Sequence, residues 1–127
     1  MSTPIGPYSP IVRAGSWLIC SGQLGLAPIG GQPDGSSPPT LVEGGVVAQL
    51  RQALENAAGL LRSEGADLTA VAKTTVFLTA MGDYPAVNEA YAAFFGDHRP
   101  ARSVVAVAGL PMEALVEVEV WAHLAGS

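Results

Sequence analysis

An arginine and two glutamates near the C-terminus have the types and the spacing needed to bind and transform a small anion. Arg102 precedes an apolar run, and Glu117 and Glu119 lie two residues apart in the apolar run that follows. A guanidinium fits a carboxylate through two parallel hydrogen bonds. Two carboxyls on one face of a strand lie about 7 Å apart and raise one another's pKa, which suits acid–base catalysis. From these residues alone, a salt bridge or solvated charge at a strand end is the more ordinary explanation.

Four further positions are candidates for lining a small-molecule pocket. Tyr8 lies in the turn-forming segment GPYSP, where its ring can form a pocket wall or simply anchor the N-terminal segment. Ser21 and Gly22 end a strand-like run, and a glycine there lets the backbone approach a ligand, although a plain strand end has the same appearance. Asn88 flanks the apolar stripe of a predicted helix, where it binds a ligand or is solvated.

The chain has no motif for a metal or a cofactor. His98 and His123 are far apart, Cys20 is the only cysteine, and no glycine-rich phosphate-binding motif is present. We therefore expect neither a metal ion nor a cofactor. We also expect Cys20 to be a buried small apolar residue in a cytoplasmic protein, since one cysteine forms no intrachain disulfide.

The overall composition excludes several classes of partner. The 127 residues favour one domain over residues 1–127, and the formal net charge is −5. Lys73 is the only lysine, so the basic stripe of a nucleic-acid-binding or membrane-surface protein is absent. The first ten residues lack the basic and apolar regions of a signal peptide. Charged residues are only 13% of the chain, which favours a buried subunit interface.

The first half of the chain predicts two strands and a helix. Residues 11–23 form two short strands around a turn at Ala14–Gly15. A loop rich in Gly and Pro follows over residues 24–40, long enough to be a flexible surface loop or a lid. Thr40–Glu43 matches a capping box, and Gly65 matches the position just after a helix. The apolar face of the helix between them consists of Val47, Leu50, Leu54, Ala57, Ala58 and Leu61.

The second half predicts a strand, a helix and two final strands. Residues 68–81 alternate as a strand, Asp83 can cap a second helix, and Gly96 ends that helix. Residues 103–110 and 114–124 form a predicted hairpin, which would place the glutamates opposite Arg102. The apolar stripe of the second helix consists of Val87, Ala90, Tyr91, Phe94 and Phe95.

These elements predict an α+β fold with one mixed sheet and two helices packed on a single sheet face. In the last strand, Val116, Val118 and Val120 face the helices and the two glutamates face away from them. The second sheet face carries Phe77 and Trp121. Because this face is apolar, we expect another subunit to cover it.

Five segments, in this order and across nearly the whole chain, resemble the reactive intermediate deaminase (Rid) family, also called the YjgF or endoribonuclease L-PSP family. The most specific part is PARS, followed by a strand and then VEVE. The segments are IGPYSP, SGQL, KTTVFLTAMGDYPAVNEAYAAFF, PARSVVAVAGLP and VEVEVWA. The resemblance implies a chorismate-mutase-like subunit and a homotrimer with a central barrel-like core. It also implies three sites in clefts between subunits.

The resemblance further implies an activity, the hydrolysis of reactive imines and enamines such as 2-aminoacrylate and 2-iminobutanoate to 2-oxo acids and ammonia, without a cofactor. Arg102 matches the arginine that holds the substrate carboxylate, and Glu117 matches the acid near the imine and the water. The other matched pocket positions are Tyr8, Ser21, Gly22 and Asn88.

Two departures from the family pattern leave the substrate open. Val104 stands where family members often carry a cysteine, which makes that pocket wall apolar, and the loop over residues 24–40 is longer than usual. One alternative is therefore a specialised enzyme acting on a bulkier imine. Another is a non-catalytic ligand-binding or chaperone-like trimer. RNA cleavage, suggested by the older family name, is disfavoured by the acidic charge.

Overall fold

The computed structural model describes residues 6–27 and 39–125. Its helices and strands follow the predicted order of strand, strand, helix, strand, helix, strand and strand. They are β1 (Ile11–Ala14), β2 (Trp17–Leu24), α1 (Gly45–Ser63), β3 (Val71–Leu78), α2 (Tyr84–Phe95), β4 (Ala101–Ala106) and β5 (Val116–His123).

The five strands form one mixed sheet in the order β1-β2-β5-β3-β4. β5 lies between β2 and β3 and is antiparallel to both, whereas β4 is an edge strand that runs parallel to β3. The predicted hairpin between the last two strands is therefore wrong. α2 carries the chain across to a parallel partner of β3, as parallel pairing requires, and β5 then gains hydrogen bonds on both of its sides. A short segment in which Met112 and Glu113 have positive φ redirects the chain between β4 and β5.

Both helices pack on one face of this sheet, as predicted. The alternation predicted for β5 is confirmed, because Val116, Val118 and Val120 are buried and Glu117 and Glu119 are only half-buried on the other face. The largest fully buried side chains on the helix side include Leu18, Leu50, Leu54, Leu61, Leu78, Val71, Val76 and Val87.

The helix ends only partly follow the prediction. The capping box at Thr40–Glu43 is wrong, because α1 begins after Gly44, whose positive φ of 115° and lack of a side-chain cap leave no role for Thr40. Gly65 follows α1 with a φ of 80°, a left-handed conformation that favours glycine. Asp83 is at the N-cap of α2, although its side chain makes no capping hydrogen bond, and Gly96 ends that helix.

The base of the Gly- and Pro-rich loop is held by α1. Leu26 pairs with Leu41, and the Asn56 amide nitrogen donates to the carbonyls of Leu24 and Leu26 at 3.2 and 3.1 Å. Gly25 packs so closely that a Cβ there would be 2.5 Å from the backbone of Gln49 in α1. The predicted surface loop or lid lies mostly in residues 28–38, outside the described residues.

The sheet face away from the helices carries Phe77 and Trp121, as predicted, together with the two glutamates. Trp17 and Trp121 are 37% and 39% exposed, and their rings meet edge to face with centroids 6.0 Å apart. Val12 and Val105 are also exposed, and by strand alternation they lie on the same face. None of the described helices is long and apolar enough to cross a lipid bilayer.

Candidate functional site

A cavity of about 550 Å³ opens beside Glu117 on the sheet face away from the helices. It brings together four of the predicted site residues, Tyr8, Ser21, Gly22 and Glu117. We call this cavity, together with the residues that line it, the glutamate cavity. Among the residues that the structure describes, its lining is Gly6, Pro7, Tyr8, Ser21, Gly22, Leu24, Pro111, Glu117 and Glu119.

A β-bulge in β2 makes room for the Glu117 side chain. Cys20 pairs with Val120 and Gln23 with Val118, so β2 holds one more residue than β5 between these two pairs. Gly22 lies in the bulge, and a Cβ at this position would be 2.6 Å from Glu117 Oε2. The carboxyl therefore occupies space that any other residue at position 22 would fill.

Ser21 attaches the N-terminal segment to the same bulge. Its hydroxyl donates to the Ser9 carbonyl at 2.7 Å, and its backbone N–H donates to the Pro10 carbonyl at 2.9 Å. Both bonds hold the chain just after Tyr8, whose ring is a wall of the glutamate cavity. Ser21 thus has a structural role in assembling the cavity.

The surroundings of Glu117 favour its neutral form. Partial burial raises the pKa of the Glu117 carboxyl above its usual value, and the charge of Glu119 on the same strand face raises it further. A carboxyl with a raised pKa exchanges protons closer to neutral pH, as general acid–base catalysis needs. The predicted interaction between the two glutamates is therefore present.

Arg102 lies on the opposite side of the sheet, at its β4 edge. It pairs across the strands with Thr74, a fully buried residue of β3 that faces the helices. Its Nη2 donates to the Tyr84 hydroxyl at 3.2 Å, and its Cζ lies 4.8 Å from the ring centroid of Tyr91 and 5.6 Å from that of Tyr84. Arg102 thus contacts α2, and both partners expected for an ordinary salt bridge, Glu117 and Glu119, lie on the other face.

Asn88 lies on the same face of α2 as the two tyrosines that contact Arg102, and Val104 lies on the same strand face as Arg102. Asn88 lies one helical turn after Tyr84, and no donor from the described part of the chain reaches its buried Oδ1. Val104 is two residues beyond Arg102 on the same strand face, where it packs against the hydrophobic core. We call Tyr84, Asn88, Tyr91 and Arg102 the arginine cluster.

The predicted site residues thus form two separate groups within one chain. The prediction that Arg102 faces the glutamates is wrong. β3 lies between β4 and β5, and its Thr74, the partner of Arg102, and Phe77, the partner of Glu117, point to opposite faces. One chain alone does not bring the cation and the acid together.

Sequence analysis missed the aromatic partners of Arg102. Tyr91 was assigned only to the apolar stripe of α2, and Tyr84 was not singled out. A usable signal was present, since Tyr84, Asn88 and Tyr91 recur at positions i, i+4 and i+7, which form one face of a helix. What the sequence did not contain was the position of β4 beside that face.

The cysteine and the possible metal ligands contribute little to either group of site residues. Cys20 is buried, and burial raises the pKa of its thiol to about 12, as suits a core residue. Among the described residues, no group of three or more His, Cys, Asp or Glu side chains is arranged to hold a metal ion.

Comparison with known proteins identifies the family. The family model for endoribonuclease L-PSP matches residues 1–124. The 2-iminobutanoate/2-iminopropanoate deaminase of Mus musculus is 44% identical over 115 residues, which cover 91% of this chain and 79% of the mouse protein.

Two solved structures from E. coli extend the match to the fold. The YjgF gene product superposes with a TM-score of 0.84 at 36% identity, covering 96% of this chain and 91% of YjgF. TdcF, solved with bound serine, superposes with a TM-score of 0.83 at 34% identity, covering 96% of this chain and 91% of TdcF. The two groups of site residues thus lie on a YjgF-like α+β fold, and the chain belongs to the Rid family, also called the YjgF or endoribonuclease L-PSP family.

Proposed function

We propose that the protein is a hydrolase that deaminates reactive 2-imino acids and their enamine forms, such as 2-iminobutanoate and 2-aminoacrylate, to 2-oxo acids and ammonia. The observation that carries the proposal is the half-buried carboxyl of Glu117, whose raised pKa suits proton transfer in a cavity large enough for such a substrate. The printed name of the mouse relative, 2-iminobutanoate/2-iminopropanoate deaminase, supports the same substrate class.

In this proposal Arg102 binds the substrate carboxylate. The guanidinium is the group best matched to a planar carboxylate, and its contacts with two tyrosines leave further N–H donors available. The unpartnered Oδ1 of Asn88 is an acceptor next to this anion site, suited to an N–H of the substrate or to a bound water. The serine bound to TdcF, an amino acid with a carboxylate, is a ligand of the expected kind.

Glu117 moves the proton that hydrolysis requires. Water adds to the carbon of the protonated imine, and the electron pair of the C=N double bond goes to nitrogen. Glu117 accepts a proton from the added water and delivers it to the nitrogen. The C–N bond then breaks and ammonia leaves with the bonding pair, while the hydroxyl formed from the water gives its remaining proton to Glu117 and becomes the carbonyl of the 2-oxo acid. Ammonia takes that proton from Glu117 and leaves as ammonium, which restores the carboxylate. The backbone at Gly22 helps to place the water, whereas the N–H and the carbonyl of Ser21 are already bonded to Pro10 and Gln23. A protonated imine is electrophilic enough to need no cofactor.

We further propose that the active site is shared between subunits of a homotrimer. Arg102 and Glu117 lie on opposite faces of one sheet, so a complete site needs the arginine cluster of one subunit beside the glutamate cavity of another. The exposed tryptophans and valines of the open sheet face support burial at such an interface, around a barrel-like core. A cytoplasmic location is consistent with the single buried cysteine.

The test is the decay of an imine generated in place. A serine/threonine dehydratase or an amino-acid oxidase supplies small or bulky imines, and semicarbazide traps whatever has not been hydrolysed. We expect the wild type to accelerate imine loss. Arg102→Ala should remove most of that acceleration, because binding energy from the carboxylate positions the imine, a contribution of about a hundredfold or more.

Arg13→Ala is a matched control. Arg13 is exposed, pairs with Glu64 at 3.7 Å and belongs to neither group of site residues, so this variant should keep wild-type activity. If the wild type accelerates no imine, small or bulky, the deaminase proposal is wrong. The non-catalytic ligand-binding trimer would then be the better account.

A further inference from the structure

The arginine cluster contains two tyrosines whose contacts with Arg102 differ in kind. Tyr91 is buried and its ring centroid lies 4.8 Å from Arg102 Cζ, whereas Tyr84 is 36% exposed at the N-terminal end of α2, lies farther away at 5.6 Å and adds a hydrogen bond through its hydroxyl. Because the guanidinium contacts two rings and one hydroxyl, these groups limit both its position and its rotation.

Tyr91 is itself held firmly. Its hydroxyl shares a 2.7 Å hydrogen bond with the hydroxyl of Thr74, which is 0% exposed, and its ring lies 4.7 Å from that of Phe95. A ring fixed at both its edge and its hydroxyl presents a constant face to the cation above it. Attraction between a guanidinium and such a face is strongest where water is excluded. Thr74 and Tyr91 therefore fix the distance between the Arg102 guanidinium and α2.

Tyr84 adds a hydrogen-bonding group at the exposed rim of the cluster. Its oxygen accepts from Arg102 Nη2 at 3.2 Å. A phenol that accepts a hydrogen bond still carries its own hydrogen, which it can donate to an anion bound by the same guanidinium. Arg102 keeps most of its five N–H donors for that anion. An anion beside Arg102 is thus within reach of a charged fork and a neutral hydroxyl.

We propose that Tyr84 is a second carboxylate-binding residue and that Tyr91, held by Thr74, is a positioning residue for Arg102. This inference rests on the proposed function, in which Arg102 binds the carboxylate of the substrate. The cluster then selects for a carboxylate in two ways: through the charge of the guanidinium and through the orientation of the phenol hydroxyl. A neutral isostere with an amide in place of the carboxylate gains neither interaction fully.

The test compares binding of 2-oxobutanoate and of its neutral amide, 2-oxobutanamide, by calorimetry on the full chain. The wild type should prefer the acid. Tyr84→Phe removes one oxygen and keeps the ring, so it should weaken acid binding about three- to tenfold and amide binding by a smaller factor, because a neutral amide oxygen accepts a weaker hydrogen bond. In imine hydrolysis the same variant should raise KM more than it lowers kcat. Ser63→Ala, which removes a hydroxyl at the end of α1, is the matched control and should change neither ligand's affinity.

The positioning role is tested by a double-mutant cycle. Tyr91→Phe and Thr74→Val each break the buried hydroxyl pair, and each should raise KM for the imine by about twofold. The double variant should cost no more than either single one, because the same bond is lost. A purely structural role would lower the thermal midpoint of unfolding and leave the preference for acid over amide at its wild-type value.

The possible outcomes distinguish failure of the Tyr84 assignment from failure of the proposed function. If the wild type prefers the acid but Tyr84→Phe has the same preference, the assignment of Tyr84 is overturned and the proposed function survives. If the wild type neither prefers the acid nor hydrolyses imines, both fail together. Circular dichroism and thermal unfolding of each variant exclude misfolding as the cause of weak binding.

Discussion

The two groups of site residues are built by different means. The glutamate cavity depends on the backbone: a bulge in β2, a glycine within it and an N-terminal segment attached by Ser21. The arginine cluster depends on side chains, since α2 supplies two tyrosines that contact Arg102 and an asparagine on the same helix face. Glu117 is positioned by the space left at Gly22, whereas Arg102 is positioned by contacts with side chains. The two groups therefore respond to different kinds of mutation.

Neither group of site residues is sufficient on its own for the proposed hydrolysis of an imino acid. The glutamate cavity offers proton transfer but, among the lining residues that the structure describes, contains two carboxyls and no cation. The arginine cluster offers an anion site, but the proposed proton-transfer group lies on the opposite face of the sheet. Under the proposed function, a 2-imino acid carries its carboxylate and its imine on adjacent carbons and therefore needs both groups close together. Separate faces of one sheet meet this need only when a second copy of the chain supplies the missing half.

The largest expected effect is restored activity when two inactive variants are mixed. Arg102→Ala and Glu117→Ala should each be nearly inactive alone. When they are co-refolded in equal amounts, shared sites between subunits should regain about one quarter of wild-type activity, because that fraction of sites receives one intact residue from each chain. Imine decay with semicarbazide trapping measures the recovery.

A second mixture serves as the control for that experiment. Wild type co-refolded with the double variant Arg102→Ala/Glu117→Ala should keep about one quarter of full activity if sites are shared, and about one half if each site lies within one chain. Absence of recovery in the first mixture, together with half activity in the second, would contradict the shared site while leaving the deaminase activity intact.

A smaller but still large effect is expected from Gly22→Ala, which tests whether space alone holds Glu117. The new Cβ would lie 2.6 Å from Glu117 Oε2, so the carboxyl must move out of its place. Misplacing a catalytic group by an ångström can cost about a hundredfold in rate, so we expect kcat to fall by about tenfold or more. Binding of 2-oxobutanoate, which depends on the arginine cluster, should change much less.

Gly59→Ala is the matched control for that substitution. A Cβ at position 59 within α1 meets nothing closer than 3.8 Å. Alanine is the better helix former, so this variant should gain about 0.5–1 kcal/mol in its free energy of unfolding and keep its activity. Equal activity losses in both glycine variants would show that the chain tolerates no added methyl group anywhere, and the argument from space at Gly22 would fail.

The sequence predicts the individual strands and helices but not which of them lie next to each other in the sheet. Alternation in β5 predicted which valines are buried and that both glutamates face away from the helices, because side-chain period is a local property. Strand order is not local, and two apolar strands joined by a short segment look like a hairpin whether or not they pair. That single error placed Arg102 opposite Glu117. Because of the same error, the contacts of Arg102 with Tyr84 and Tyr91 were not predicted.

The structure gives one predicted site residue a role that its local pattern does not indicate. Gly22, for example, was a candidate because glycine permits close approach of a ligand, whereas the structure gives it a different purpose, leaving room for the Glu117 carboxyl. Its role depends on the register between β2 and β5, which a bulge changes by one residue. No periodicity within β2 contains that information.

The smallest expected effect is a change in pH dependence, and it tests the electrostatics of the glutamate cavity alone. Burial is the main cause of the raised pKa of Glu117, and the charge of Glu119 is the second cause. Glu119→Gln removes the second cause and keeps the shape, so the pKa of Glu117 should fall toward its usual value. The limb of the kcat/KM profile that reports Glu117 should move to lower pH, whereas Glu55→Gln, on the exposed side of α1, should leave it unchanged.

The same substitution should alter the pH dependence of stability in a defined direction. Since folding raises the pKa of Glu117, its contribution to stability is present below the pKa of the unfolded chain and is lost as the pH rises through the folded value. Removing the Glu119 charge brings the two values closer, so the free energy of unfolding should fall less between acidic and neutral pH in Glu119→Gln than in the wild type. Urea unfolding across that range measures the difference. An equal fall in both proteins would mean that burial alone sets the proton affinity of Glu117, and that the spacing of the two glutamates has no part in tuning the acid.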